Sequence, residues 1–422
     1  LVSTHDMVVP NDTELASLGD ALGQDAAGLE RRRGALAALL EAPAPDRVTH
    51  LWRFTDPHRF APAASVAAVG FVEKGDAAGT AAAVDLVPGM QPLVTLSDAA
   101  RAAGLEILPL GDPSVAAHLG AALGAPESHW YALLNDAAWN TGVALRLPRG
   151  RTLADPVRVS VHAEAAAVLP RILLIAEENS ELTLVEEHTG GVDEARVAGV
   201  TEILAGPAAR VRHVLVQAWR PGVDGYVSVR ARADRDADLQ TVFCALGGDR
   251  AKLEFVSTLD GAGAASRMVG VILGEERQHL DVHTRHIHAV GETRSDIDVK
   301  AVVADRARST YTGLIRIEER ARGVEAFQEN RNLLLSDGAR ADTIPELEIL
   351  NQEVACSHGA TVAPLDEGQV FYLRSRGLDA AQARRMIVRG FLENTLARLP
   401  EGLRARVEAV VERRLDSVGD GA

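Results

Sequence analysis

Asp236-Ala-Asp-Leu-Gln-Thr-Val-Phe-Cys-Ala-Leu-Gly-Gly-Asp-Arg250-Ala-Lys-Leu-Glu-Phe-Val-Ser-Thr-Leu259 contains the same short unit twice. Each copy opens on a charged residue, Ala, a second charged residue and Leu. It then runs through alternating apolar positions, and Gly and Asp close the first copy. Alternation specifies a half-buried strand, and the small residues specify turns. Working outward, similar openings stand at Asn179-Ser-Glu-Leu182, Ala208-Ala-Arg-Val211 and Arg308-Ser-Thr-Tyr311. The apolar residues that open the runs, Leu182, Val211, Leu239, Leu253, Met268, Leu280, Ile297 and Tyr311, recur at about 14 residues or twice that. Short strands at a regular spacing make either a barrel or a stack of rungs. Aromatic residues are only 4% of the chain, whereas barrels and propellers carry aromatic repeat markers, so the spacing favours a β solenoid over a barrel or an ordinary β-sandwich. It predicts stacked strands from about 160 to about 350, within a mainly β core assigned to 151–362.

The flanks have a different texture. Residues 12–41 read as one helix, capped by Asn11 or Asp12, with Leu15, Leu18, Leu22, Leu29, Leu36 and Leu40 at roughly helical spacing and a proline-bearing stretch to end it. The whole of 1–150 reads as a mainly helical N-terminal region. Helix returns in the C-terminal region, 363–422. Asp366 caps a run ending at Gly377, and Asp379 with Gln382 forms a capping box for a second helix with Ala383, Met386, Ile387, Phe391, Thr395 and Leu399 inward. A third carries Leu403, Val407, Val411 and Leu415. The apolar stripe is expected to pack on the end of the solenoid, while Arg374, Arg376, Arg384, Arg385 and Arg389 crowd the remaining faces as a candidate docking surface.

Composition excludes several classes of function. Over 422 residues, 59 acidic against 44 basic side chains give a net charge of −15, which repels nucleic acid and anionic membrane surfaces. No segment approaches the roughly 18 apolar residues of a membrane span, and Arg31, Arg32 and Arg33 precede an apolar run too short for an export signal. None of the lysines, Lys74, Lys252 and Lys300, follows a glycine, so there is no Walker A site. Gly261-Ala-Gly263-Ala-Ala-Ser266 lacks the third glycine of a dinucleotide fingerprint and leads into a strand, which makes it a turn between rungs. Neither a G-x-S-x-G elbow nor an HExxH is present. Two cysteines, Cys244 and Cys356, form no disulfide framework, and the expected compartment is the reducing cytoplasm.

Two groups of residues carry metal-type chemistry. His279, His283, His286 and His288 cluster in sequence, but strand parity puts the first two on one face and the last two on the other, so solvated or rung-stacking histidines are the simpler reading. Cys244 reads as a small buried hydrophobe. In Cys356-Ser-His358-Gly, a thiol and an imidazole two residues apart can point to one side of an extended segment and serve as soft ligands for iron or another thiophilic metal. Two ligands do not hold a cluster. Either another chain supplies the rest, or this is a polar turn.

The run Asn332-Leu-Leu-Leu-Ser336, Ala341-Asp-Thr343, Pro345, Leu347-Glu-Ile349, Cys356-Ser-His-Gly-Ala-Thr-Val362, Leu365-Asp-Glu367 and Phe371-Tyr-Leu-Arg-Ser-Arg-Gly377 resembles the SufB/SufD family of iron–sulfur cluster assembly proteins. The match is dense over about 330 to 392. It is thinner upstream, through Asp281, His283, Thr284 and His288, through Leu134-Asn135, Ala137, Gly142, Pro148, Gly150 and Pro156, and through Trp52-Arg53 and Thr55-Asp56. Cys-Ser-His-Gly-Ala-Thr and Phe-Tyr-Leu look like the SufD branch; the SufB branch has a Glu-His-Glu-Ala-Thr-like stretch and Phe-Tyr-Cys. Asn351-Gln-Glu353 departs from the usual Ala-Asp-Asp.

The resemblance implies a right-handed parallel β-helix flanked by helical regions, pairing with SufB, with the SufC ATPase on the C-terminal helices. It implies a transient iron–sulfur cluster shared with SufB at their interface, with His358 as this chain's contribution and Cys356 as its neighbour. It also implies a scaffold without turnover of its own, and leaves a homodimer open when SufB is absent. Two rivals stand beside it. A SufB-type scaffold that accepts sulfur itself would need a nucleophilic Cys in place of Leu373 or near His358, where Cys356 stands. A polysaccharide-active β-helix enzyme would need an acidic or arginine-lined groove, and usually export.

Overall fold

The structure is a computed structural model that describes residues 9–62, 66, 77–123, 130–398, 404–405, 407–409 and 411–413. From Pro170–Ala176 onward successive strands alternate between two sheets, each of ten strands among the described residues. Arg210–Trp219 lies in the first sheet, Asp224–Ala233 in the second, Asp238–Ala245 in the first and Arg250–Leu259 in the second. Within a sheet these neighbours are parallel and in register: Val211 pairs with both Leu182 and Leu239, and Val227 pairs with Leu253. The repeat of about 14 residues is therefore one strand and its turn, half a coil of the solenoid, and each unit stacks on the unit two places away. All eight rung-opening residues, from Leu182 to Tyr311, enter one core between the sheets. Burying a side chain of this kind contributes about 1.5–3 kcal/mol, and a rung can gain it only against its neighbours.

The sheets also take in strands from before residue 151. Ala82–Leu86 pairs in parallel with Val157–His162, and Thr141–Leu147 with Pro170–Ala176. Single strands set among helical segments carry no repeat, so the spacing did not reveal them. Each coil makes a turn at a residue with positive φ: Asn179, Ala208, Asp236, Gly263 and Glu292 form one such column. At Gly261 an added Cβ would collide with the Arg235 backbone of the rung below, which explains the small residues of this turn.

The helical flanks cover the outer faces of the sheets. The single helix expected over 12–41 is two, Asp12–Ala21 and Ala26–Glu41, with Gly23 at positive φ between them. Asn11 caps the first through a capping box. With Trp130–Ala138 they cover the second sheet, where Trp52, Tyr131 and Tyr226 pack ring to ring at 5.1–5.4 Å. At the other end Asp366 caps Glu367–Ser375, and the Asp379–Gln382 capping box starts Ala380–Leu396. These helices lie on the outer face of the first sheet rather than on the end of the solenoid: Ala383, Val388, Leu392 and Leu396 join Val214, Val242, Cys244 and Val269 in one buried cluster. Val388 and Leu392 turn inward, and Met386, expected inside, is 51% exposed because the sheet meets the opposite side of that turn. Val407 and Val411 join the same cluster, while Leu399, Leu403 and Leu415 lie outside the described residues. No described helix is long and apolar enough to cross a membrane.

Candidate functional site

Each sheet ends, at the same end of the solenoid, in a strand with one neighbour among the described residues: Val354–Pro364 in the first and Arg340–Ile349 in the second. Such strands present a row of backbone donors and acceptors that another chain can pair. Phe327, Leu350 and Val362 are exposed beside them. Cys356 and His358 lie on this last strand, in register with Ala326 and Gln328, both buried. Spacing of two puts them on the inward face together. Cys356 is half-buried and packs against the core; His358 is exposed at the mouth.

Burial pushes the Cys356 thiol up, so it is a protonated thiol rather than a ready nucleophile. No group of three or more metal-ligating side chains occurs among the described residues. Among the described residues a cluster built here as cargo would therefore draw on Cys356 and His358, and would need further donors to reach the usual four.

The four clustered histidines divide as strand parity requires, and their rings are in protein rather than solvated. On the outer face of the second sheet, His283 Nε2 lies 3.0 Å from Asp281 Oδ1. Asp281 Oδ2 also accepts from Lys252 Nζ at 2.8 Å and from the Thr55 hydroxyl. His279 Nε2 is 3.2 Å from Thr55 Oγ1. The N-terminal segment is bolted to the sheet here, which brings Trp52, Thr55, Asp281 and His283 together. On the inner face, His286 Nε2 meets Ser266 Oγ at 2.9 Å, and His288 meets Thr293 and Ser295 at 2.8 and 2.9 Å. Burial holds His286 down to about 3 and His288 to about 4, so both rings are neutral.

A second polar group lies inside the solenoid, at positions that no motif in the sequence marks. Glu186 accepts from His188 Nε2 at 2.6 Å, His213 Nε2 at 3.0 Å and the Thr201 hydroxyl, all of them buried. Its carboxyl is lowered to about 2; burial opposes the shift and the two imidazoles outweigh it. Glu186 and His188 continue the inward parity of Leu182 and Leu184, and that pattern could have revealed them.

Of the five arginines singled out on the C-terminal helices, Arg374, Arg376 and Arg389 are exposed and Arg384 and Arg385 are half-buried. Arg384 Nη2 reaches toward Glu367 at 4.0 Å, and Arg389 pairs with Glu412 at 3.4 Å. The Arg376 guanidinium lies over the ring of Tyr372, 5.3 Å from its centre. Phe371 beside it is 73% exposed and Tyr372 57%, an apolar and cationic patch on the side away from the sheet.

Comparison with known proteins gives this arrangement a family. Residues 159–391 match the description "SUF system FeS cluster assembly, SufBD core domain". An iron–sulfur cluster assembly SufBD family protein of Mycobacterium tuberculosis is 32% identical over 292 residues, covering 66% of this chain and 72% of that protein. The iron–sulfur cluster assembly protein SufD of Bacillus subtilis is 30% identical over 295 residues, 68% of each chain. SufB of the same organism is 28% identical over 279 residues, 65% of this chain and 60% of that one. With its strands stacked through the matched region and the Cys356–His358 pair at the open end, this chain belongs to the SufBD family of iron–sulfur cluster assembly proteins.

Proposed function

We propose that the chain is the SufD-type scaffold subunit of a Suf assembly complex, with no turnover of its own. Its open end pairs with SufB, its C-terminal helices hold the SufC ATPase, and a nascent iron–sulfur cluster is built at the shared end. The observation that carries this reading is the exposed His358 on the last inward-facing position before two unpaired sheet edges. An imidazole placed there can meet ligands from a partner that continues the sheets. As a neutral ligand it also binds iron with less charge than a thiolate does, which suits a site that must release its product.

Overall identity to SufD and SufB is similar, so the branch rests on Cys356-Ser-His358 and on Leu373, where the SufB branch has Cys. A chain that accepted sulfur itself would need an activated thiol. The raised Cys356 thiol and the fully buried Cys244, pushed up to about 12, do not favour that.

Anaerobic co-purification with SufB and SufC, followed by iron and sulfide analysis of the His358→Ala complex and its melting curve, tests the reading. Subunit assembly and melting should be retained while cluster loading falls steeply. Normal loading in that complex would remove the role of His358, and failure of the three chains to co-purify would remove the scaffold reading.

A further inference from the structure

We propose that Gln328 is the hydrogen-bond acceptor that orients the His358 ring, holding one ring N–H inward so that the other nitrogen presents its lone pair at the open end. The inference rests on the reading of His358 as a cluster ligand.

Gln328 occupies the inward position of Val324–Leu334 directly in register with His358, and is 3% exposed. Its Nε2 donates to the Gly313 carbonyl of the opposite sheet at 3.2 Å. Donation to a carbonyl settles which end of the amide is nitrogen. A Cβ at Gly313 would collide with this amide and with the Tyr311 hydroxyl, so the glycine makes the room in which the amide spans the interior. Tyr311 is itself held by Thr284, oxygen to oxygen at 2.7 Å. The Gln328 amide is thus fixed from across the interior, yet its Oε1 has no hydrogen-bond partner among the described residues, His358 included.

A buried acceptor of this kind calls for a donor. Parallel neighbours lie about 4.8 Å apart with side chains on the same face, and the next side chain outward over Gln328 is the imidazole of His358. Cys356 stacks over Ala326, which offers it no acceptor. A neutral imidazole has one N–H and one lone pair. Metal-binding histidines generally spend the N–H on a protein acceptor, which fixes the tautomer and the ring plane. Turned inward, the exposed His358 ring would find that acceptor in Gln328 Oε1, which as an amide adds no negative charge to the site.

Nitrogen NMR of the intact chain, with histidine labelled and the His358 signals assigned by their loss in His358→Asn, reads the tautomer directly at about pH 8, where free imidazole is neutral. One dominant tautomer is expected for His358 in the wild-type chain. The ratio should fall several-fold in Gln328→Met and be retained in Gln328→Glu, which keeps an acceptor oxygen; cluster loading by the complex of each variant with SufB and SufC should follow the same order. A wild-type His358 with the tautomer ratio of free imidazole would overturn the inference even if Gln328→Met did not fold, and so would an unchanged ratio in Gln328→Met. If the ratio shifts as expected but the His358→Ala complex loads normally, Gln328 stands as the acceptor and the cluster reading of His358 falls.

Discussion

Lys252 Nζ lies 2.8 Å from Asp281 Oδ2, and neither side chain reaches solvent. The ammonium also sits 5.1 Å from the centre of the Trp52 ring, so the pair joins two rungs of the second sheet to the N-terminal segment above them. Lys252→Met leaves the Asp281 carboxylate buried with the Thr55 hydroxyl and His283, and should cost about 3–5 kcal/mol. The double variant Lys252→Met with Asp281→Leu should recover much of that loss. Urea denaturation followed by tryptophan fluorescence measures both, and equal losses in the single and double variants would refute the buried-charge argument.

Ala208 holds a left-handed turn at φ 54. A side chain there costs about 1–2 kcal/mol, and a glycine gives back about 0.4–1 kcal/mol through the unfolded chain. Ala208→Gly should therefore stabilise the protein by about 0.5–1 kcal/mol, a rare gain from removing a methyl group. Denaturation midpoints of the two proteins decide it.

Burial lowers His279 to about 4, His286 to about 3 and His288 to about 4. Below about pH 6.5 the unfolded chain takes up protons that the folded chain refuses. Stability should fall as pH drops from about 6.5 toward 4, and these groups should contribute nothing to its slope above about pH 7.5. Each histidine adds up to about 1.4 kcal/mol per pH unit in that window. His286→Gln should remove one such increment, and unfolding free energies measured at several pH values would show the flatter profile.

Phe371 and Arg374 are exposed on the patch away from the sheet. Phe371→Ser with Arg374→Glu should weaken SufC co-purification while each change alters stability by no more than about 0.5 kcal/mol. Arg384→Glu should instead cost stability, because it sets a second carboxylate against Glu367 where the half-buried guanidinium stands 4.0 Å away. Undiminished SufC recovery with the Phe371 and Arg374 variant would place the dock elsewhere.

The repeat was legible in the sequence because a solenoid imposes the same local condition at every coil. An inward apolar residue must recur at Leu182, Val211, Leu239 and their successors, and the Gly261–Gly263 turn must be small, whatever the rest of the chain does. The capping box at Asp379 and the parity of His279 to His288 are local in the same sense. Cys356 and His358 could be named from their spacing and their resemblance to a known family. Tertiary structure alone decided which units stack, because pairing skips one unit and links residues some 28 positions apart. It also decided that the C-terminal helices lie on a sheet face, that Met386 points outward, and that Gln328 lies beneath His358 with a free oxygen. Those relations depend on how one coil meets the next, and periodicity along the chain carries no record of them.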